Sequence, residues 1–278
     1  MPMIAMTREM GSLGRDVATR LAERMNRKVV YHEMIDQMAN KMRVRKSHVV
    51  RFLEGGAGLL ERLTAEKTSV SIFTADETFR FLRNGETGVL RGWGATHLLR
   101  SVPHVVRVRV CAPIGLRIER MMDRLGTADR GAVENEIVMN EEAHTAIARR
   151  HFGIDWRDAE NYDLVLSTER LSVDECVDEV ENMMRMPRFQ ETPESLRVVE
   201  NLALEWAVRA ALKRDPRTAS VSIGVECSEG RVRLLGIVDT QAEADGAAQV
   251  AAGVEGVAGV ESELKSSQAA ASRSWRQG

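Results

Sequence analysis

Thr7-Arg8-Glu9-Met10-Gly11-Ser12-Leu13-Gly14-Arg15-Asp16 follows the short apolar run Met3-Ile4-Ala5-Met6 and leads straight into an amphipathic stretch. Strand, glycine-containing turn and helix in that order are the context of a phosphate-binding loop. Its glycines let the chain bend tightly, and its amides and the helix N-terminus face the anion. The full pattern G-x-x-x-x-G-K-[ST] is only half kept. Glu9 stands at the first glycine position, Arg15 at the lysine and Asp16 at the hydroxyl. Arginine retains a permanent cation able to grip phosphate oxygens bidentately. Asp16 either holds Mg²⁺ or caps the helix. An ordinary strand–turn–helix with a capped start is the competing reading of the same ten residues.

Outward from this loop, strand and helix patterns alternate. Val17, Leu21 and Met25 share one face of a helix over 16–26. Lys28 to Tyr31 reads as a second strand and 33–53 as a helix with Met34, Ile35, Met38 and Met42 inside. A helix over 69–83, a strand at Gly88 to Leu90 and the turn Arg91-Gly92-Trp93-Gly94-Ala95 come next. Val105 to Cys111 is a strand, followed by helices over 114–125 and 129–151. Tyr162 to Thr168 is the last strand of this series. Ser172, with Glu175 three residues on, opens a helix over 172–185 as a capping box. Such alternation predicts an α/β domain with a mostly parallel sheet wrapped by helices.

The character changes after 187–193, which reads as a linker. A helix over 195–213 precedes two alternating strands (Val221, Ile223, Val225; Val232, Leu234) joined at Ser228-Glu229-Gly230. An alanine-rich helix over 241–253 and a strand with Val257, Val260 and Leu264 complete an αββαβ order. The small polar tail 266–278 reads as disordered.

The chain has 278 residues, 44% hydrophobic and 29% charged, with net charge −2. This supports packed cores and argues against a dedicated nucleic-acid binder. Cys111, Cys176 and Cys227 are widely separated, with no metal spacing. With no signal peptide and no run of ~18 apolar residues, the expected location is the cytoplasm.

Arginines form a second constellation. Arg117, Arg120 and Arg124 follow the fourth strand at helical spacing, and Arg149 and Arg150 end the next helix. Phosphoryl transfer needs charge neutralisation around in-line oxygens. The alternative pairs these arginines with Glu119, Asp123 and Glu136 in solvent. The basic run Arg43, Arg45, Lys46, His48, Arg51 is a candidate acceptor-phosphate site or a solvated helix face. Glu141, Glu142 and His144 invite a metal-site reading, against which one histidine among acids on an amphipathic helix reads as a surface residue.

Taken together, TREMGSLGRDVA, the turn LRGWGA, VRVCAPIGLRIERMM and ARRHFGIDWRDAENYDLVLSTERLSVDECVDEV resemble the cytidylate kinase-like family of P-loop proteins, over about residues 3–186. The resemblance implies a P-loop NTPase-type parallel sheet flanked by helices with a helical lid, spanning 1–186. It implies ATP and Mg²⁺ as cofactors, with Gly11, Ser12, Leu13, Gly14, Arg15 and Asp16 cradling the donor phosphates and Asp16 as metal ligand. Arg15, Arg117, Arg120, Arg149 and Arg150 would clamp the transferring phosphate. Arg43, Arg45 and Arg91 would hold the acceptor, a nucleoside monophosphate. Cytidylate kinases carry an acidic D-G-R-D stretch after the third strand, where this chain has Arg91-Gly92-Trp93-Gly94. The segment 194–265, with VRAALKRDPRTASVSIGVECSEGRVRLLGIV and AAQVAAGVEGVAGVESEL, resembles a BON domain. That family is associated with phospholipid or protein interaction. Three functions follow as expectations: a nucleotide kinase, a regulatory nucleotide binder without turnover, or a BON interaction module on a kinase-like scaffold. Oligomeric state is left open, a homodimer included.

Overall fold

A computed structural model describes residues 3–30, 67–83, 87–92 and 94–267. The helix expected over 33–53, the basic run with Arg43 and Arg45, Trp93 and the tail from 268 lie outside the described residues. Two compact units are present, one comprising residues up to Lys67 and Asn84–Ser195, the other Thr68–Arg83 and residues from Leu196 onward.

The first unit is built on a five-stranded sheet, β1 (Met3–Arg8), β2 (Lys28–Val30), β3 (Thr87–Arg91), β4 (Val105–Cys111) and β5 (Leu164–Ser167). Their order is β2-β3-β1-β4-β5, and every pairing is parallel. Helix α1 (Gly14–Arg24) follows β1. In the order of the chain, α2 (Lys67–Arg83), α3 (Ala95–Leu98), α4 (Ile114–Leu125), α5 (Arg130–Ile147) and α6 (Val173–Met184) come next. After β1 the chain turns toward β2, and after β4 toward β5, so a crevice opens between the carboxyl ends of β1 and β4.

Residues of β1, β4 and β5 (Ile4, Met6, Val106, Val108, Val110, Leu166) pack against Val17, Ala18 and Leu21 of α1 and Cys176, Val177 and Val180 of α6. Ile118 and Met121 of α4 pack separately on Val133 and Ile137 of α5. The expected box at α6 is formed: Ser172 Oγ accepts from the Glu175 amide at 3.2 Å, and the Glu175 carboxylate accepts from the Ser172 amide at 2.8 Å. The stretch 187–193, expected as a linker, is anchored to the first unit. Pro187–Phe189 is a 3₁₀ turn whose Phe189 ring is buried in the sheet core. Ser195 Oγ also lies 2.8 Å from His104 Nδ1. An aromatic ring in reach of an apolar face leaves water regardless of the prolines around it.

The second unit has a sheet of β6 (Gly224–Ser228), β7 (Arg231–Val238) and β8 (Gly259–Ser266) in the order β6-β7-β8, antiparallel then parallel. Val221, Ile223 and Val257 lie outside these strands. Helices α7 (Pro193–Arg214) and α8 (Gln241–Ala252) cover one face, with Leu204, Val208 and Leu212 meeting Val225, Val232, Leu234, Ala247 and Ala251. Helix α2 belongs to this unit although it precedes β3 in the chain. Phe73, Ala75, Phe79 and Leu82 are buried, and the Arg214 guanidinium lies 6.0 Å from the Phe73 ring. No helix among the described residues is long and apolar enough to cross a membrane.

Because Phe189 fills the sheet core, Phe189→Ala should destabilise the first unit by about 3–5 kcal/mol. Urea unfolding followed by circular dichroism checks this, and a loss below about 1 kcal/mol would show that the ring does not anchor the stretch.

Candidate functional site

The loop leaves β1 at Arg8 and enters α1 at Gly14. Gly11 sits at φ +79°, and a Cβ there would lie 2.7 Å from the Arg117 carbonyl oxygen. Gly14 is equally constrained, since its Cβ would lie 2.6 Å from Arg8 Cβ. Leu13 takes φ 58° as the N-cap of α1 and offers no side-chain cap. The amides of Gly11, Leu13, Gly14, Arg15 and Asp16 have no acceptor among the described residues. Two positive-φ residues one apart, followed by an uncapped helix start, form a concavity of N–H groups suited to an anion.

Ser12 is placed differently from the expectation. It is fully buried, its amide donates to the Glu9 carbonyl at 3.2 Å, and its hydroxyl lies 2.8 Å from that carbonyl and 3.1 Å from Val110 O. The side chain therefore closes the loop from within.

Below the loop runs a buried chain of alternating charges. Arg109 Nη2 donates to Glu9 Oε1 at 2.6 Å, while Glu9 Oε2 accepts from the Ala112 amide at 3.2 Å and lies 3.5 Å from Arg117 Nε. Arg117 donates from Nε to Ala112 O at 2.9 Å, and from Nη1 to Met10 O at 3.3 Å and to Glu141 at 2.5 Å. The Arg117 side chain is 6% exposed, and its Nε and Nη1 are committed to the protein. Where the sequence reading expected a phosphate clamp, the structure engages Arg117 Nε and Nη1 with internal partners, as a largely buried cation requires. Sequence reasoning missed Glu9 and Arg109 as partners. The available signal was charge at alternate positions in VVRVRVC, an inward period-two pattern broken by two arginines.

Arg120 lies on the groove and is also engaged. Its Nη1 donates to Thr168 Oγ1 at 2.9 Å and its Nη2 to Thr168 O at 2.8 Å. The groove has a volume of ≈ 740 Å³ and is lined by Arg8, Gly11, Gly14, Arg15, Asp16, Arg120 and Arg124, among others. Arg15 and Arg124 are exposed and form no ion pair among the described residues. Asp16 is exposed in the first turn of α1. No group of three or more His, Cys, Asp or Glu that could hold a metal occurs among the described residues. A single carboxylate suits Mg²⁺, which takes most of its ligands from water and substrate phosphates.

The lid arginines stand apart from this groove lining. Helix α5 ends in a π turn over Ala148–Phe152 that carries Arg149 and Arg150, both exposed. Arg149 Nη2 donates to Asp155 Oδ2 at 3.0 Å. The Asp155 carboxyl is held below its ordinary range by the Arg157 amide first and by Arg149 after it. The Phe152 ring fills the space beside Gly94, where a Cβ would come within 2.3 Å of it. Arg91, at the end of β3 opposite Met6, is half-buried.

His144 is buried, contrary to the surface reading. Its ring stacks on Trp156 with centroids 4.0 Å apart, and Trp156 Nε1 donates to Thr145 Oγ1 at 3.0 Å. Burial, with Arg8 and Arg109 nearby, pushes the imidazole down to about 3. The tryptophan twelve residues downstream was the available signal, since a ring of that size seeks a covered partner.

Residues 3–170 match the cytidylate kinase-like family, and residues 202–268 match the BON domain. No curated protein sequence matches the chain. Among solved structures, an uncharacterised protein from Eubacterium ventriosum is similar, with TM-score 0.52 and 19% identity over 66% of this chain and 98% of that one. A shikimate kinase from Acinetobacter baumannii, solved with shikimate, matches at TM-score 0.38 and 14% identity, over 66% of this chain and 93% of its own.

The buried imidazole makes stability depend on pH. Above its ordinary value near 6.5 both states are neutral and the stability is whole. As pH falls toward about 3, only the unfolded chain takes the proton and stability drops. His144→Phe, which keeps a ring on Trp156, should remove up to about 1.4 kcal/mol per pH unit of that slope. Parallel denaturation series at pH 7, 6 and 5 check it, and identical slopes for both proteins refute it.

Proposed function

The chain belongs to the cytidylate kinase-like family, and from that premise we propose that it binds ATP with Mg²⁺ in the arginine-lined groove and transfers the γ-phosphoryl group to a nucleoside monophosphate in the cytoplasm. The observation that carries this reading is the N–H concavity of Gly11, Leu13, Gly14, Arg15 and Asp16, uncapped among the described residues and opening on a groove walled by exposed Arg15 and Arg124. The amides receive the donor phosphates, and Arg15 supplies the cation that lysine supplies elsewhere. Asp16, in the first turn of α1, would hold Mg²⁺ or its water, and the ion would supply charge neutralisation on the donor phosphates. An acceptor phosphate oxygen attacks the γ-phosphorus in line while the bond to the β,γ-bridging oxygen breaks, leaving ADP. Guanidinium groups of Arg149 and Arg150 stabilise the equatorial charge. Arg91, with Arg43 and Arg45, holds the acceptor.

One observation favours a second reading, a regulatory nucleotide binder. Arg117 and Ser12, two of the expected working groups, are engaged internally. That leaves fewer groups for transfer than for binding. In either case the BON domain is the segment for a protein or phospholipid partner.

A coupled assay with ATP/Mg²⁺ across a panel of nucleoside monophosphates separates the readings. The kinase reading expects turnover with at least one acceptor. Tight ATP binding by calorimetry with no turnover on any acceptor leaves the regulatory reading standing. Arg15→Ala should weaken ATP binding by roughly tenfold or more, as expected for loss of a charge-assisted bidentate contact. Unchanged affinity would remove the loop from the site. Co-sedimentation of the full chain with anionic vesicles tests the phospholipid partner, and no pelleting leaves a protein partner.

A further inference from the structure

We infer that Thr168 and Arg117 are positioning residues for the loop, pulling back the carbonyls of Ser12 and Met10 so that the Leu13 and Gly11 amides are presented to an anion. This rests on the reading of the loop as a phosphate site and assigns how that site is built. In a trans peptide the C=O and the following N–H point in opposite directions. Met10 O accepts from Arg117 Nη1 at 3.3 Å, so the Gly11 N–H faces away from Arg117. Ser12 O accepts from Thr168 Oγ1 at 2.9 Å, so the Leu13 N–H faces away from Thr168. Gly11 and Leu13 are the two loop residues with positive φ, and neither amide has an acceptor among the described residues.

The direction of the Thr168 hydroxyl proton is itself determined. Thr168 is 1% exposed, and its Oγ1 accepts from Arg120 Nη1 at 2.9 Å. A hydroxyl has one proton. With the cation on one side as donor, that proton goes to Ser12 O. The Thr168 backbone is held in turn, its amide donating to Cys111 O at 3.0 Å and its carbonyl accepting from Arg120 Nη2. Arg117 is held by Glu9 and by Glu141 of α5. One residue just past β5 and one on α4 thus pin alternate carbonyls of the same loop. Neither touches the anion, so both act through the amides they orient.

The test is calorimetric titration of the full chain with inorganic tripolyphosphate, which reads the loop without a base. Thr168→Val keeps shape and charge and deletes the proton, so affinity should fall by about tenfold. Thr168→Ser keeps the hydroxyl and should stay within about threefold of wild type. The salt dependence of binding should be unaltered in Thr168→Val, because no charge is removed, and flatter in Arg15→Ala. Thr168→Val binding within twofold of wild type overturns the inference and leaves the phosphate site intact. No binding by wild type overturns the phosphate site, and the inference with it. If Thr168→Val shows no cooperative thermal transition, Arg117→Lys carries the test. It keeps the charge and loses the guanidinium fork, and is expected to bind about tenfold more weakly; wild-type affinity in that variant overturns the inference.

Discussion

The buried carboxylate of Glu9 is the constraint on which the loop, the end of β4 and the start of α4 all depend. It accepts from Arg109 on one side and from the Ala112 amide on the other, with Arg117 3.5 Å away. Removing one member of such a chain leaves an uncompensated charge out of water, which costs far more than the intact pair contributes. The turn between β1 and α1 therefore has one arrangement rather than several. The Gly11 backbone can then lie against Arg117 closely enough that no Cβ fits between them.

The arginines divide by what surrounds them. Arg107, Arg109, Arg117 and Arg120 come off β4 and α4 into covered ground and are engaged there by Asp163, Glu9, Glu141 and Thr168 respectively. Arg15, Arg124 and Arg150 face solvent. Permanent charge serves both groups, and among the described residues the second group forms no ion pair and has its cation exposed to a ligand. A cluster of arginines near a phosphate loop thus serves architecture as much as catalysis, and hydrogen-bond inventory tells the two apart.

The second unit shows that chain order and spatial grouping differ. Helix α2 lies between β2 and β3 in sequence, yet it is part of the compact body with α7, α8 and the three-stranded sheet. Its run Phe73 to Phe79 is buried on successive positions, polar Thr74, Asp76, Glu77 and Thr78 included. Glu77 is answered by Arg80 one turn on, at 3.0 Å. A helix covered on more than one face loses the single apolar stripe by which an amphipathic helix is recognised.

Sequence by itself determined the alternation of strands and helices, the parallel α/β class, the capping box at Ser172 and the loop between β1 and α1. Each is written in local periodicity, glycine placement and short-range polar spacing, acting over a few residues. Tertiary structure decided which members of the loop and of the arginine constellation remain free. Ser12 closes on Glu9 and Val110, Arg117 on Glu141, and Arg120 on Thr168, across separations of 3 to 156 residues along the loop's contacts. The same holds for His144, whose acidic neighbours suggest solvent while its ring lies on Trp156. Periodicity reports the face a side chain takes on its own element. Whether that face meets water, a carbonyl or a counter-charge depends on elements distant in the chain, and that partner decides between a binding group and a structural one.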